Sequence, residues 1–264
     1  MSDVVGKMHV THDRMDPVRA IALHAALGCA GLPPDPGDPL PPFFQSAYFW
    51  EVAPAQGLGG DGCPLAGTCV PDFDLPFRRM TAVRLRVQRP LRSGEPAERR
   101  SQVTAVGQKV GRAGPIAQAT VRHDFHQGGR LCLSEQRDFV FRSGPIANDI
   151  QPAPAPYDSD PLALHLDPVS LFRFGAVTFD SHRVQYDGDY AREVEGYSGR
   201  AVPAAYLAMI LAMRVDAMAP LRRFSFRELR PLVLGEEAVS NHRGSDLWVR
   251  NGDGVLVSRA VAGW

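Results

Sequence analysis

Between residues 81 and 141 the chain alternates apolar and polar side chains in four successive segments: 81–87 (TAVRLRV), 100–110 (RSQVTAVGQKV), 115–126 (PIAQATVRHDFH) and 131–141 (LCLSEQRDFVF). A period of two places neighbouring side chains on opposite faces of an extended backbone, so each segment reads as a strand. The segments are long and close together in sequence, which makes antiparallel pairing natural. Strand patterns return later, at 222–229, 238–243, 247–250 and 255–261.

Between the two strand-rich regions stands QPAPAPY, residues 151–157, whose proline–alanine alternation disfavours helix and sheet alike. It divides the chain into residues 1–150 and 158–264. In the first part, 16–27 (DPVRAIALHAAL) reads as a short amphipathic helix with Pro17 in its first turn. A breaker-rich loop runs to Pro42, and the apolar-aromatic stretch 43–52 (FFQSAYFWEV) is expected to hold a long central helix. In the second part, 167–174 leads into a strand-like 176–179, a polar loop and a helix from about 202 to 217. One apolar helix followed by several long strands, twice over, predicts an α+β fold of the double hot-dog kind. In that arrangement two antiparallel sheets, each wrapped around a long central helix, are fused in one chain.

Charge narrows the partners. Over 264 residues, 29 basic side chains balance 29 acidic ones, which removes the electrostatic case for nucleic acid or an anionic membrane. Only Lys7 and Lys109 are lysines; arginine suits forked recognition of carboxylates and phosphates. Cys29, Cys63, Cys69 and Cys132 include no two pairs at metal-ligand spacing, and His123, His126 and Glu135 fit no metal motif, so no metal is expected. The first residues, MSDVVGKMHVTHDRMD, carry charges throughout, and no apolar run approaches the ~20 residues of a membrane span. A soluble, cytoplasmic protein is expected.

The strings GDPLPP, LPFRRM, PLRSGE, KVGRAGP and SEQRDFVFR in the first half, then LFRFGAVTFDSHRVQYD, YAREVEGYSG and FSFRELRPL in the second, carry a resemblance. In order and spacing they resemble the mesaconyl-CoA and itaconyl-CoA hydratases within the broader MaoC-like hot-dog group. The resemblance implies a hydro-lyase interconverting a 3-hydroxyacyl thioester and its enoyl form. It needs no metal or redox cofactor, and coenzyme A or an acyl carrier enters as part of the substrate. The partner is thus a small acyl thioester, with a homodimer compatible with the fold.

Chemistry is expected in TFDSHRVQYD, residues 178–187. There the resemblance places Asp180 at the position that handles the added water and His182 at the first histidine of the family string. On an extended backbone, positions two apart share a face, so both can address one pocket. Gln185 replaces the family's second histidine; an amide can orient a water or substrate but cannot accept a proton at neutral pH. At the helix entrance the family's valine-histidine-glycine-proline reads Ala201, Val202, Pro203, Ala204. Val202 therefore marks the start that would face the thioester carbonyl, with Pro203 removing one backbone donor. Arg78 and Arg79 are candidates to grip a carboxylated acyl group. The missing histidine leaves an alternative: an isomerase or cyclase of a biosynthetic pathway, or a non-hydrating thioester-binding homologue.

Overall fold

The computed structural model describes residues 5–65, 69–111, 114–145 and 153–264; the start of the expected boundary segment 151–157 lies outside them. Ten strands form a single antiparallel sheet in the order β1-β3-β4-β5-β2-β7-β10-β9-β8-β6. In chain order they are β1 His9–Asp13, β2 Phe77–Val87, β3 Ala97–Gly111, β4 Gly114–Gln127, β5 Arg130–Arg142, β6 Leu162–Ala163, β7 Arg223–Glu228, β8 Ala238–Arg243, β9 Asp246–Asn251 and β10 Leu256–Gly263. Of the nine segments read as strand-like, eight are strands and one, 176–179, is not. The edge strands β1 and β6, of five and two residues, are too short to carry a comparable signal.

The first five strands and the last five meet where β2 pairs with β7, through Ala82↔Arg227, Val83↔Phe226, Arg84↔Ser225 and Leu85↔Phe224. Bulges between Met80 and Ala82, Val103 and Ala105, and Phe125 and His126 add local bends that curl a long sheet. Over the join lies α4, Ala204–Asp216, packed on β2, β7 and β10. Its Leu207, Met209, Leu211 and Val215 are fully buried, in one core with Val83, Leu85, Phe224, Phe226 and Ala260. The helix therefore buries residues nearly all round, as a helix enclosed by a sheet must.

Two expectations are corrected. Residues 43–52 form no long helix: a 3-10 turn spans Phe44–Ala47, and Phe43 (φ 69°) and Phe49 (φ 55°) flank it in the left-handed region. A right-handed helix cannot run through such residues. The segment is apolar because it covers the sheet: Phe43 meets Phe224 edge-on at 5.8 Å and Phe49 meets Phe125 at 5.4 Å. The strand expected at 176–179 is instead the end of α2, Pro168–Thr178. Leu171, Phe174 and Val177 recur at helical spacing on its buried side, and Asp167 forms a capping box with Ser170 at its start. α1, Pro17–Ala26, forms where the amphipathic pattern places it, with Asp16 accepting from Val18 N, and it packs against α2.

The join also buries charge. Arg79 Nε stands 3.2 Å from Glu228 on the inward face of β7. Arg79 Nη1 and Glu228 Oε2 nevertheless make no hydrogen bond. Burial pushes the Glu228 carboxyl up from 4.5 to about 7, with Arg79 and Arg230 offsetting only part of the effect.

Leu211→Ala should destabilise the fold by about 2–5 kcal/mol in urea unfolding, whereas Phe172→Ala, with 71% of its residue surface exposed, should shift it by no more than about 0.5 kcal/mol. A second prediction follows from Glu228. Its folded pKa lies above its unfolded value, so the native state holds the proton more tightly. Its contribution to stability is then full below about 4.5, falls as pH rises towards 7, and stays lost above that. Urea midpoints between about pH 5 and about pH 8 should show this fall, on the order of 3 kcal/mol at most, in the native chain and not in Glu228→Gln. Equal pH dependence in both would mean that Glu228 does not titrate in this window.

Candidate active site

The loop expected to carry chemistry begins at the C-terminus of α2. Phe179 adopts φ 56°, ψ 32°, Phe179 N donates to Ala176 O (3.4 Å) and Asp180 N to Gly175 O (2.9 Å). This paired 5→2 and 6→1 closure ends the helix and turns the chain back sharply. A Cβ at Gly175 would stand 3.2 Å from Asp180 O, so a glycine there eases the close return. Phe179 is held in its unusual conformation by stacking on Trp50 at 5.0 Å, while Trp50 Nε1 donates to Val177 O (3.2 Å).

After Asp180 the loop is pinned from two sides. Arg183 N donates to Asp61 O (2.7 Å) and Ser181 Oγ to Gly62 O (2.5 Å). Gly62 has φ 79°, and a Cβ there would lie 2.2 Å from Ser181 O, so only glycine permits this approach. On the other side Ala201 N donates to Val184 O (2.9 Å), tying the loop to the entrance of α4. Asp187 closes the loop by capping the short helix α3, Gly188–Glu193, through Tyr190 N.

Within this frame Asp180 is held by two donors. Gln185 Nε2 donates to Oδ2 at 2.8 Å, and His182 N donates to Oδ1 at 3.1 Å. Asp180 and His182 therefore share one loop turn rather than one face of a strand; His182 precedes a 3-10 turn, Arg183–Gln185. Behind His182, its Nε2 lies 3.6 Å from Oε1 of Glu195, a residue only 1% exposed. Among the described residues neither atom has a hydrogen-bond partner.

Asp180, His182 and Gln185 line a cavity of about 290 Å³, together with Val202, Pro203, Ala204, Ala205, Arg78 and Arg79. All the residues expected at the site thus converge on one space. Their states differ from expectation in two respects. Val202 N is already committed to Leu232 O (2.8 Å). Pro203 is the cap of α4 and lies outside its first turn, and no side chain caps the helix. Among the described residues, the N–H groups of Ala204 and Ala205 have no acceptor, so the open donors of this positive helix end lie at those two residues. Arg78 and Arg79 are each paired, Arg78 Nε to Asp61 Oδ2 at 2.9 Å and Arg79 to Glu228.

Ligand atoms of Asp61, Cys63 and His182 lie within 4.8 Å of one another. Both oxygens of Asp61 are already engaged, one by Arg78 and the other by Cys63 N (2.9 Å). A guanidinium against the carboxylate opposes a second cation, so this trio reads as packing of the loop around Asp61 onto the loop of Asp180.

Sequence reasoning missed Glu195 and Arg137. Arg137 lies in the cavity wall beside Glu135 and in the electrostatic reach of Asp180. A signal for Arg137 exists: it shares the inward parity of β5 with Leu133, Phe139 and Phe141, a charge on an apolar face. Glu195 follows α3 in a turn, where no periodicity marks it as buried.

Comparison with known proteins places these features. Residues 44–234 match the family described as hydroxyacyl-thioester dehydratase type 2. Mesaconyl-C(4)-CoA hydratase of Chloroflexus aurantiacus is 36% identical over 238 residues, covering 86% of this chain and 83% of that protein. Among solved structures, HtdX of Mycobacterium tuberculosis superposes with a TM-score of 0.69 at 17% identity, over 97% of this chain and 99% of that one. A second M. tuberculosis protein, reported to have a double hotdog fold, gives 0.61 at 14% identity, over 98% and 97%. The fold is the double hot-dog. The chain belongs to the type 2 hydroxyacyl-thioester dehydratase family and is a hydro-lyase.

Proposed function

We propose that the protein adds water across the double bond of an enoyl-CoA to give the 3-hydroxyacyl-CoA, and runs the reverse dehydration, on a mesaconyl-type acyl group. The observation that carries this reading is one cavity holding both parts of the chemistry. Asp180, fixed by Gln185 and by the His182 backbone, shares it with the open first turn of α4. In hydration Asp180 takes a proton from a water whose oxygen bonds to C3. His182, protonated, gives a proton to C2 from Nδ1, the nitrogen remote from Glu195. Negative charge that builds on the thioester oxygen meets the N–H groups of Ala204 and Ala205, worth most in a dry, pre-arranged site. A proton passing from Asp180 back to His182 through solvent resets the pair. Coenzyme A arrives as part of the substrate, and the chemistry as written uses no resident cofactor. The similarity to the Chloroflexus mesaconyl-C(4)-CoA hydratase supports the acyl class.

One observation favours a second reading. Gln185 spends its amide on Asp180 and cannot take a proton where the family has a histidine. A non-hydrating isomerase, cyclase or thioester-binding protein would keep the same pocket.

Hydration of crotonyl-CoA and mesaconyl-CoA decides between them. His182→Ala and Asp180→Asn should each lose about 10²–10⁴-fold in rate with the fold intact. Gln185→His should leave hydration unchanged or lower it, because Asp180 loses its amide donor. A large gain from a negligible native rate would favour the second reading, and full activity in both His182→Ala and Asp180→Asn would move the chemistry to another site.

A further inference from the structure

The end of the cavity furthest into the first half of the chain has more hydrogen-bond donors than acceptors. Arg137 uses Nε on Glu135 Oε1, and Glu135, fully buried, places its other carboxylate oxygen on Gln45 Nε2 at 2.8 Å. Both acceptor oxygens of that carboxylate are therefore taken. The two terminal nitrogens of Arg137 have no hydrogen-bond partner among the described residues, and the side chain lines the cavity. Beside it His123 Nδ1 and Ser101 Oγ share a hydrogen bond (2.7 Å), and His123 also lines the cavity. Burial, with Arg137 and Arg99 nearby, holds its pKa well below 6.5, so the ring is neutral. With Ser101 donating to Nδ1, Nε2–H becomes one more donor facing the same space. Arg99 is spoken for by Glu51 (3.3 Å), as Arg78 and Arg79 are by Asp61 and Glu228. Arg137 thus brings an unused fork to the cavity, whereas the unbonded Nη1 of Arg79 is buried beside Glu228.

A planar pair of N–H groups with a third donor beside it matches a carboxylate, which accepts two parallel bonds from arginine. The apolar walls of Phe125 and Phe139 strengthen such a contact by excluding water. On the enoyl-CoA reading the acyl chain enters this cavity, so the anion is placed at the acyl end.

We infer that Arg137, with His123 beside it, is a specificity-determining residue of this enzyme, receiving the free carboxylate that a mesaconyl-type acyl group carries. This inference rests on the enoyl-CoA reading above for the orientation of the substrate but not on hydratase turnover.

The test is calorimetric binding of succinyl-CoA and butyryl-CoA, saturated thioesters that cannot be hydrated. The native chain should bind succinyl-CoA about tenfold or more tightly than butyryl-CoA, the size of a charge-assisted hydrogen bond. Arg137→Lys keeps the charge and loses the fork, and most of the preference should go. Arg137→Gln alone would strand Glu135 in the core, so Arg137→Gln with Glu135→Gln removes both charges together. In that folded double variant the ratio of the two affinities should fall to about one. No preference in the native chain, the same preference in the double variant, or equal loss for both ligands would each overturn the inference. Loss of hydration without loss of this preference would instead count against the proposed reaction alone.

Discussion

Strands β2 and β7 pair from Ala82↔Arg227 to Arg86↔Arg223, and this one ladder welds two sets of five strands into a sheet without an internal edge. The entrance of α4 and the Arg79–Glu228 pair are placed relative to it. α4 lies across it, so the open helix terminus is fixed to the same surface that carries Arg79 and Glu228. A register slip by one residue would turn Phe224, Phe226 and Glu228 outward and expose their partners. The many buried apolar positions on both strands and on α4 make that slip prohibitive.

The loop of Asp180 obtains its precision from a helix end and not from the sheet. A left-handed Phe179, a close return at Gly175 and a glycine at position 62 fix the direction in which the carboxylate leaves α2. Two donors then fix its rotation. Groups used for proton transfer benefit from this kind of support, since small misplacements cost rate steeply. Gln185 takes part in this support through the amide that it donates to Asp180.

Much of the fold was legible because alternation and helical spacing report which face of an element is buried. β2 to β5 and β7 to β10 were readable in this way, and α4 nearly to its ends. The stretch 43–52 was not, because apolar density alone does not separate a buried helix from a buried loop. Only Phe43 and Phe49 in the left-handed region decide against helix, and nothing in their residue type announces that. The run 176–179 reads as strand through Val177, Thr178 and Phe179, yet Leu171, Phe174 and Val177 already carry a helical period from the Asp167 cap. At the site, the residue types of Asp180, His182 and Gln185 could be read from one string. Their mutual geometry could not, nor could the pairing of Arg78 and Arg79, which depends on loops and strands far apart in sequence. Arg137 was within reach of parity reasoning on β5; whether its fork is free depends on the side chains that other strands and loops bring beside it.

The central claim is that water adds across a carbon–carbon double bond while the thioester stays intact. Turnover of an enoyl-CoA in ¹⁸O-labelled heavy water, followed by mass spectrometry of the product, tests it most directly. The account predicts one solvent oxygen at C3, one solvent deuteron at C2 and no release of free coenzyme A. Deuterium at carbon without solvent oxygen, or labelled carboxylate with free coenzyme A, would contradict it.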